Sequence, residues 1–423
     1  MVVGSIIGAS IFVQPALITA RVPSIAGMFG VWATAGLLSL FGALICAELA
    51  SAYPHTGGVY VFLNRAYSPA MGFLWGWAMF WSMHSGIVAA VAVVFARYVG
   101  FFFPLGDTGL RLVAIAVILL LSAVNYVGVR HGSTLQTAFT IGKVAAVAAI
   151  VLVGFVLGSR LPTHFQNVPG AGSIGASAYV LALVAGLFAY GGWHVVTYTS
   201  GETVDPERTI PRALVLGLLV VTAAYIALNA VYLYILPLDV VARSDRIAAD
   251  AANALLGSGG GAVMAALVVF STFGALSGIV LTGPRVYYAM AQDGLLFRWL
   301  AEPHPRFRTP HRSIVGQAIW SSVLVATGTY VTLFTRVIFT EWIFFGLMAA
   351  GLMVLRRRPD YRPTYRIRPF PLVPIAFILA TAVIVCQHVL DAPRESAFGL
   401  AVVILGLPAY LIWVRGRTVT EAA

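Results

Sequence analysis

Apolar runs of bilayer length recur along the whole chain, near residues 1–19, 25–51, 69–103, 109–128, 134–157, 176–199, 213–236, 261–290, 313–334, 336–355, 371–391 and 396–414. At 1.5 Å of rise per residue, runs of about 20 residues cross a hydrocarbon core roughly 30 Å thick. The pattern predicts an all-α polytopic membrane protein with about twelve transmembrane helices. Charged and Pro/Gly-rich stretches separate the runs, among them Gly201–Arg212, Gln292–Arg312 and Arg356–Phe370. These are too short to hold a soluble domain, so residues 1–423 read as a single membrane domain.

Composition agrees: 60% of residues are hydrophobic, 10% are charged, and the mean hydropathy is +0.91. A soluble domain does not have these values. The net charge of +11 is distributed by side. Seventeen arginines fall in one set of alternate loops and eight in the other, with the heavier set including Arg285, Arg356, Arg357, Arg358, Arg366 and Arg368. The positive-inside rule therefore predicts a multi-pass protein of the cell (plasma or inner) membrane with both termini in the cytoplasm. Anionic headgroups account for the basic balance, and no aromatic-interleaved basic segment points to nucleic acid. Cys46 and Cys386 both lie inside apolar runs, where they read as packing residues; no disulfide framework, metal centre or cofactor is indicated. The first run begins at Met1 without a polar flank, and the expectation is that half of that helix is missing through a truncated or misassigned start.

The single lysine, Lys143, stands in the middle of an apolar stretch from Leu135 to Leu157. Placing an ionisable group at mid-membrane costs several kcal/mol unless it finds partners, which marks a functional site. Snorkelling is the alternative, but the polar Arg130–Ser133 edge is about ten residues away, or roughly 15 Å. Two apolar runs are also interrupted by small residues: Gly4-Ser5-Ile6-Ile7-Gly8-Ala9-Ser10 in the first, and Phe188-Ala189-Tyr190-Gly191-Gly192-Trp193-His194 in the sixth. Alone, Gly4-x-x-x-Gly8 reads equally as a close-packing face. Paired breaks in corresponding positions of two halves point instead to an inverted-repeat transporter with unwound backbone at the midplane. Free N–H groups at a broken helix end attract a carboxylate and free carbonyls attract an ammonium, so a zwitterionic α-amino acid suits both.

Those segments resemble the amino acid–polyamine–organocation superfamily, and within it the amino acid permeases similar to the L-type transporters. The resemblance spans essentially the whole chain and includes Ala47-Glu48-Leu49, Tyr53-Pro54-His55-Thr56-Gly57-Gly58-Val59-Tyr60, Glu202 with Pro206–Arg212, Pro284-Arg285-Val286 with Asp293-Gly294, and Arg356–Pro371. It implies a LeuT-like five-plus-five inverted repeat, residues 1–160 and 172–358, followed by two further helices in 371–415, with helices 1 and 6 broken. By the same resemblance, Ile6, Ile7, Gly8, Ala9 and Ser10 face the substrate carboxylate, and Phe188 closes over the substrate above Ala189 and Gly191. Family members commonly have Ser-Gly where this chain has Ala9-Ser10, and the expected consequence is either a narrower pocket or a changed approach of the backbone to the substrate. Lys143 corresponds to the helix-5 lysine that replaces a sodium ion in sodium-independent relatives.

His194 stands where relatives often carry asparagine; lining the pocket and bonding a neighbouring helix remain open alternatives. Glu341 falls where similar transporters often carry a neutral residue of the distal pocket, and it either meets the substrate side chain or reaches the outer interface. Glu48 is expected to pair near the inner gate, and His84 reads as a satisfied core histidine rather than a proton relay.

The function expected is secondary amino acid transport by alternating access, independent of sodium, with exchange or proton coupling and small to medium neutral L-amino acids. Rival readings are a polyamine or organic-cation carrier of the same superfamily and an amino-acid sensor that does not transport. An enzyme is disfavoured, since there is no HExxH pair and no clustered Asp/His set at a membrane face. The expected partners are the substrate and the lipid bilayer. The Phe101–Leu110 loop has no cysteine for a disulfide-linked heavy chain, and the oligomeric state is left open.

Overall fold

A computed structural model describes residues 1–8, 10–158, 174–257, 259–328 and 330–420, with the side chains of residues 129–136, 330–332, 334–336 and 414–420 outside the description. Ala9 and Arg160 thus lie outside the described residues. Helix α1 (Val2–Ile6) is followed by a short 3-10 turn, Ser10–Phe12, and α2 (Gln14–Arg21). Next come α3 (Ile25–Ala52), α4 (Val59–Ala66) and α5 (Pro69–Ala78), which runs through a π-helical turn at Met79–Met83 into α6 (His84–Val99). Helices α7 (Asp107–Val127) and α8 (Val129–Leu157) precede α9 (Ala176–Ala189), which gives way to a 3-10 stretch, Trp193–Glu202. The remainder is α10 (Pro206–Ile235), α11 (Leu238–Arg243), α12 (Ile247–Leu256), α13 (Gly260–Gln292), α14 (His311–Thr327), α15 (Tyr330–Leu355), α16 (Leu372–Asp391) and α17 (Pro393–Thr420).

Among the described residues, ten helices are long and apolar enough to cross a membrane. Of the twelve expected spans, the first occurs as α1, a 3-10 turn and α2, and the ninth as the 17-residue α14. The boundary between the ninth and tenth spans differs from the sequence expectation. It falls at Gly328, in extended conformation, rather than near Arg336. In hydrocarbon the backbone must keep its own hydrogen bonds, so one charged side chain is not a reason for a helix to stop.

The spans Pro69–Val99, Ala176–Glu202 and Gly260–Gln292 are largely enclosed by the others, whereas Thr137–Leu157 and Pro393–Trp413 are mostly on the outside. Exposed side chains on the outer helices are themselves apolar, among them Leu112, Ile141, Leu152, Val156, Leu379 and Ile412. Such an apolar exterior is adapted to lipid. Cys46 packs in the interior as expected, but Cys386 is exposed, because it lies on the outward face of α16. At one end of the bundle, the loops carry polar locks. Arg285 donates to both Glu202 oxygens, at 2.7 and 3.0 Å, and the Tyr60 hydroxyl donates to Asp293 at 2.6 Å. Burial first, and then the Asp293 hydrogen bond, push the Tyr60 phenol above its ordinary range, so it remains a donor. Glu48 pairs with Arg356 at the same end, in line with the sequence expectation.

Candidate functional site

Both sequence interruptions are breaks in the structure. Helix α1 ends at Ile7, whose ψ of 99° leaves the helical region, and the chain is helical again only from Ser10. Helix α9 ends at Tyr190, and the turn through Gly191 and Gly192 leads into the 3-10 stretch. Gly192 has a φ of +97°, and a Cβ there would stand 3.0 Å from Ser5 O, so only glycine lets the two breaks approach. Gly4 has a second purpose: a Cβ on it would overlap Thr140 Oγ1, so the small residue also brings α1 against α8. The packing and break readings of Gly4-x-x-x-Gly8 are therefore both realised.

A helix end leaves four carbonyls without intrahelical partners. At the end of α1 most of them are accounted for. Lys143, extending from α8 and 1% exposed, donates from Nζ to Gly4 O at 2.8 Å and Ile7 O at 3.1 Å. It does not snorkel. The Tyr225 hydroxyl of α10 lies 2.9 Å from Ile6 O and 3.0 Å from Ala189 O, so a single donor is shared by the ends of α1 and α9. The Ser5 hydroxyl donates to Val2 O at 2.9 Å and lies 3.2 Å from Gly192 O. Lys143 thus supplies positive charge where the dipole of α1 ends negative.

Between the breaks lies a cavity of about 40 Å³, lined by Ile6, Gly8, Ser10, Phe188, Gly191 and Glu341 together with Ser5, His84, Gly192 and apolar neighbours. A water molecule occupies about 30 Å³ of liquid, and ordinary ligand pockets measure roughly 300–1,000 Å³. The walls are therefore closed in, and a bound amino acid needs them to part. Ile7 and Ala189 take part through their carbonyls rather than by lining the cavity. His194, 1% exposed, is wedged edge-on among Trp75, Trp193, Tyr198 and Phe345, and its Nε2 lies 3.4 Å from Glu341 Oε1 of α15. Of its two sequence alternatives, the structure realises the contact with a neighbouring helix. Glu341 is 4% exposed and faces the cavity, not the outer interface. His84 is a satisfied core histidine, with Nε2 2.8 Å from Ile279 O, and it also lines the cavity.

Tyr225 is the contributor that sequence reading missed, because a tyrosine inside an apolar run is an ordinary packing residue. Its only signal is a hydroxyl far from either polar edge. Removing that hydroxyl leaves buried carbonyls unpaired, which costs about 1–3 kcal/mol. Tyr225→Phe is accordingly expected to lower uptake roughly 10-fold by loosening the two breaks. Uptake equal to wild type in liposomes of matched protein content would show that the bridge is dispensable. Among the described residues no group of three or more His, Cys, Asp or Glu side chains is placed to hold a metal ion.

Comparison with known proteins finds amino acid permeases along most of the chain. A family model described as amino acid permease matches residues 1–407. The chain is 31% identical over 414 residues to the serine/threonine exchanger SteT of Bacillus subtilis (strain 168), covering 97% of this chain and 94% of the relative. It is 32% identical over 429 residues to the large neutral amino acids transporter small subunit 2 of Oryctolagus cuniculus, covering 98% and 78%. The b(0,+)-type amino acid transporter 1 of Homo sapiens is 30% identical over 423 residues, covering 98% and 86%.

Proposed function

Because the chain belongs to the amino acid permease family, we propose that it is a sodium-independent secondary transporter of small to medium neutral L-amino acids, working by alternating access with exchange or proton coupling. The observation that carries this reading is the Lys143 ammonium between Gly4 O and Ile7 O. A fixed cation there does the electrostatic work of a bound sodium ion, holding the unwound end of α1 without drawing on a sodium gradient. The substrate α-carboxylate then meets the backbone N–H groups from Gly8 to Ser10, since the Ile7 N–H is held by Val3 O at 2.9 Å, and its ammonium meets the carbonyls beside Gly191. Phe188 closes over it and excludes water, which strengthens the polar contacts beneath.

In this reading residues 1–160 and 172–358 are the two inverted repeats, 371–415 the two additional helices, and the Arg356–Arg368 end faces the cytoplasm. The locks Glu202–Arg285 and Tyr60–Asp293 are then the inner gate. No disulfide-linked heavy chain is expected, since residues 101–110 contain no cysteine. A polyamine carrier is less well supported, because Glu341 is the one carboxylate among the residues lining the cavity.

The test is uptake of a mixed amino-acid pool into proteoliposomes with sodium replaced by potassium or choline. A defined subset is expected to accumulate at the same rate with and without sodium. Uptake that appears only with sodium overturns the role given to Lys143, and preferential uptake of a diamine moves the protein to the organic-cation reading.

A further inference from the structure

One wall of the cavity lacks a role in binding the amino acid's common backbone. Ile87, Val91, Phe188, Val195, Ile279 and Ile338 make this wall hydrocarbon, and Glu341 is set into it. His84 is already engaged by Ile279 O, and the Ser5 hydroxyl by helix carbonyls. A carboxyl group in such surroundings costs several kcal/mol unless it is partnered. Among the described residues its polar partner is His194 Nε2 at 3.4 Å, longer than the usual 2.7–3.2 Å of an N–H···O bond. A carboxylate offers about four acceptor sites on two oxygens, so most of its capacity faces the cavity unused.

We propose that Glu341, positioned by His194, is the side-chain recognition point of the site and selects small amino acids whose side chain carries a hydroxyl, over hydrocarbon side chains of the same shape. This rests on the amino-acid reading above. Two points narrow the ligand to this class. First, Glu341 is the one carboxylate among the residues lining the cavity, so a substrate side chain meets a single acceptor-rich point rather than paired carboxylates. Second, a hydroxyl both donates and accepts, so it satisfies Glu341 whether the carboxyl group is ionised or protonated, whereas an ammonium satisfies only the ionised form. His194 is held by four aromatic rings, so its place beside Glu341 does not depend on the ligand.

The pair threonine and valine tests this directly, because they differ by a hydroxyl for a methyl at almost constant shape. In sodium-free proteoliposomes, kcat/KM for L-threonine is expected to exceed that for L-valine by about 10- to 100-fold, the span given by leaving one buried acceptor unpaired. Glu341→Leu is expected to bring the ratio near 1, with thermal unfolding in detergent as the control for folding. Should Glu341→Leu move nothing, Glu341→Gln decides, since its shape is retained: the ratio is expected to fall several-fold through threonine KM with valine KM unchanged. His194→Asn is expected to give the same KM split in weaker form. A wild-type ratio near 1, or a ratio unmoved in both Glu341 variants, overturns the assignment. L-lysine or putrescine taken up in preference to threonine overturns it in favour of cation recognition. Wild-type protein that moves none of these amino acids brings down the transport reading itself.

Discussion

Lys143→Ala is expected to reduce sodium-free amino acid uptake by more than about 100-fold, to the level of empty liposomes. The reason lies in what the ammonium holds. Gly4 O and Ile7 O are left over where α1 stops, and Lys143 Nζ reaches both from α8 at 2.8 and 3.1 Å. Hydrogen bonds from a charged donor contribute about 1.5–3 kcal/mol each, so losing two removes about 3–6 kcal/mol from the broken-helix geometry. At 1.4 kcal/mol per factor of ten, the population of the competent site falls by about 10²–10⁴. Arginine is not expected to rescue it, because a planar guanidinium does not fit a pocket shaped for a 1% exposed ammonium. Initial rates in proteoliposomes, with thermal unfolding in detergent as the control for folding, measure this. A well-folded Lys143→Ala protein that still transports at a wild-type rate would show that α1 needs no cation.

The largest stability effect is expected from Glu48→Ala, through the lock rather than the site. Glu48 is fully buried near the end of α3; its Oε1 accepts from Arg356 Nε at 2.7 Å, and its Oε2 accepts from the Ile367 N–H at 2.8 Å and from Arg356 Nη2. The Tyr361 hydroxyl adds a weaker contact at 3.4 Å, and the Arg356 guanidinium lies 3.9 Å from the centre of the Phe370 ring. One carboxylate thereby ties the segment after α15 across α3. Deleting one partner of a buried pair costs about 3–5 kcal/mol, because the Arg356 guanidinium, 16% exposed, is left largely desolvated without its counter-charge. Glu48→Gln keeps an acceptor for Ile367 and is expected to lose about half as much. Differential scanning fluorimetry in detergent should show the order wild type, Glu48→Gln, Glu48→Ala; a Glu48→Ala transition matching wild type would refute the lock.

Legibility in the sequence followed from how unusual each residue is for its surroundings. Lys143, Gly191 and Gly192 stand out because an ammonium or a glycine pair inside an apolar run has few uses, and the structure places them at the breaks. Glu48 was legible as a pairing residue, although its partners Arg356 and Ile367 lie more than 300 residues away. Tyr225 was not legible, since its environment differs from a packing tyrosine only in the carbonyls it meets. The end of the ninth span differs because the apolar run continues to residue 334, whereas Gly328 is where the backbone turns extended.

By itself the sequence determined the solvent, the approximate spans and the two breaks. Transfer of apolar residues into hydrocarbon adds up locally along the chain, and a small-residue interruption weakens a helix wherever it occurs. Only the tertiary structure decided which polar groups meet. His194 and Glu341 belong to different helices and each had an ordinary alternative; their approach to 3.4 Å depends on how α15 packs against the stretch after α9. The same holds for the shared Tyr225 hydroxyl and for the enclosure of Glu341 against the cavity. Pairings across more than a hundred residues are set by the packing of whole helices, and no local property of the chain encodes them singly.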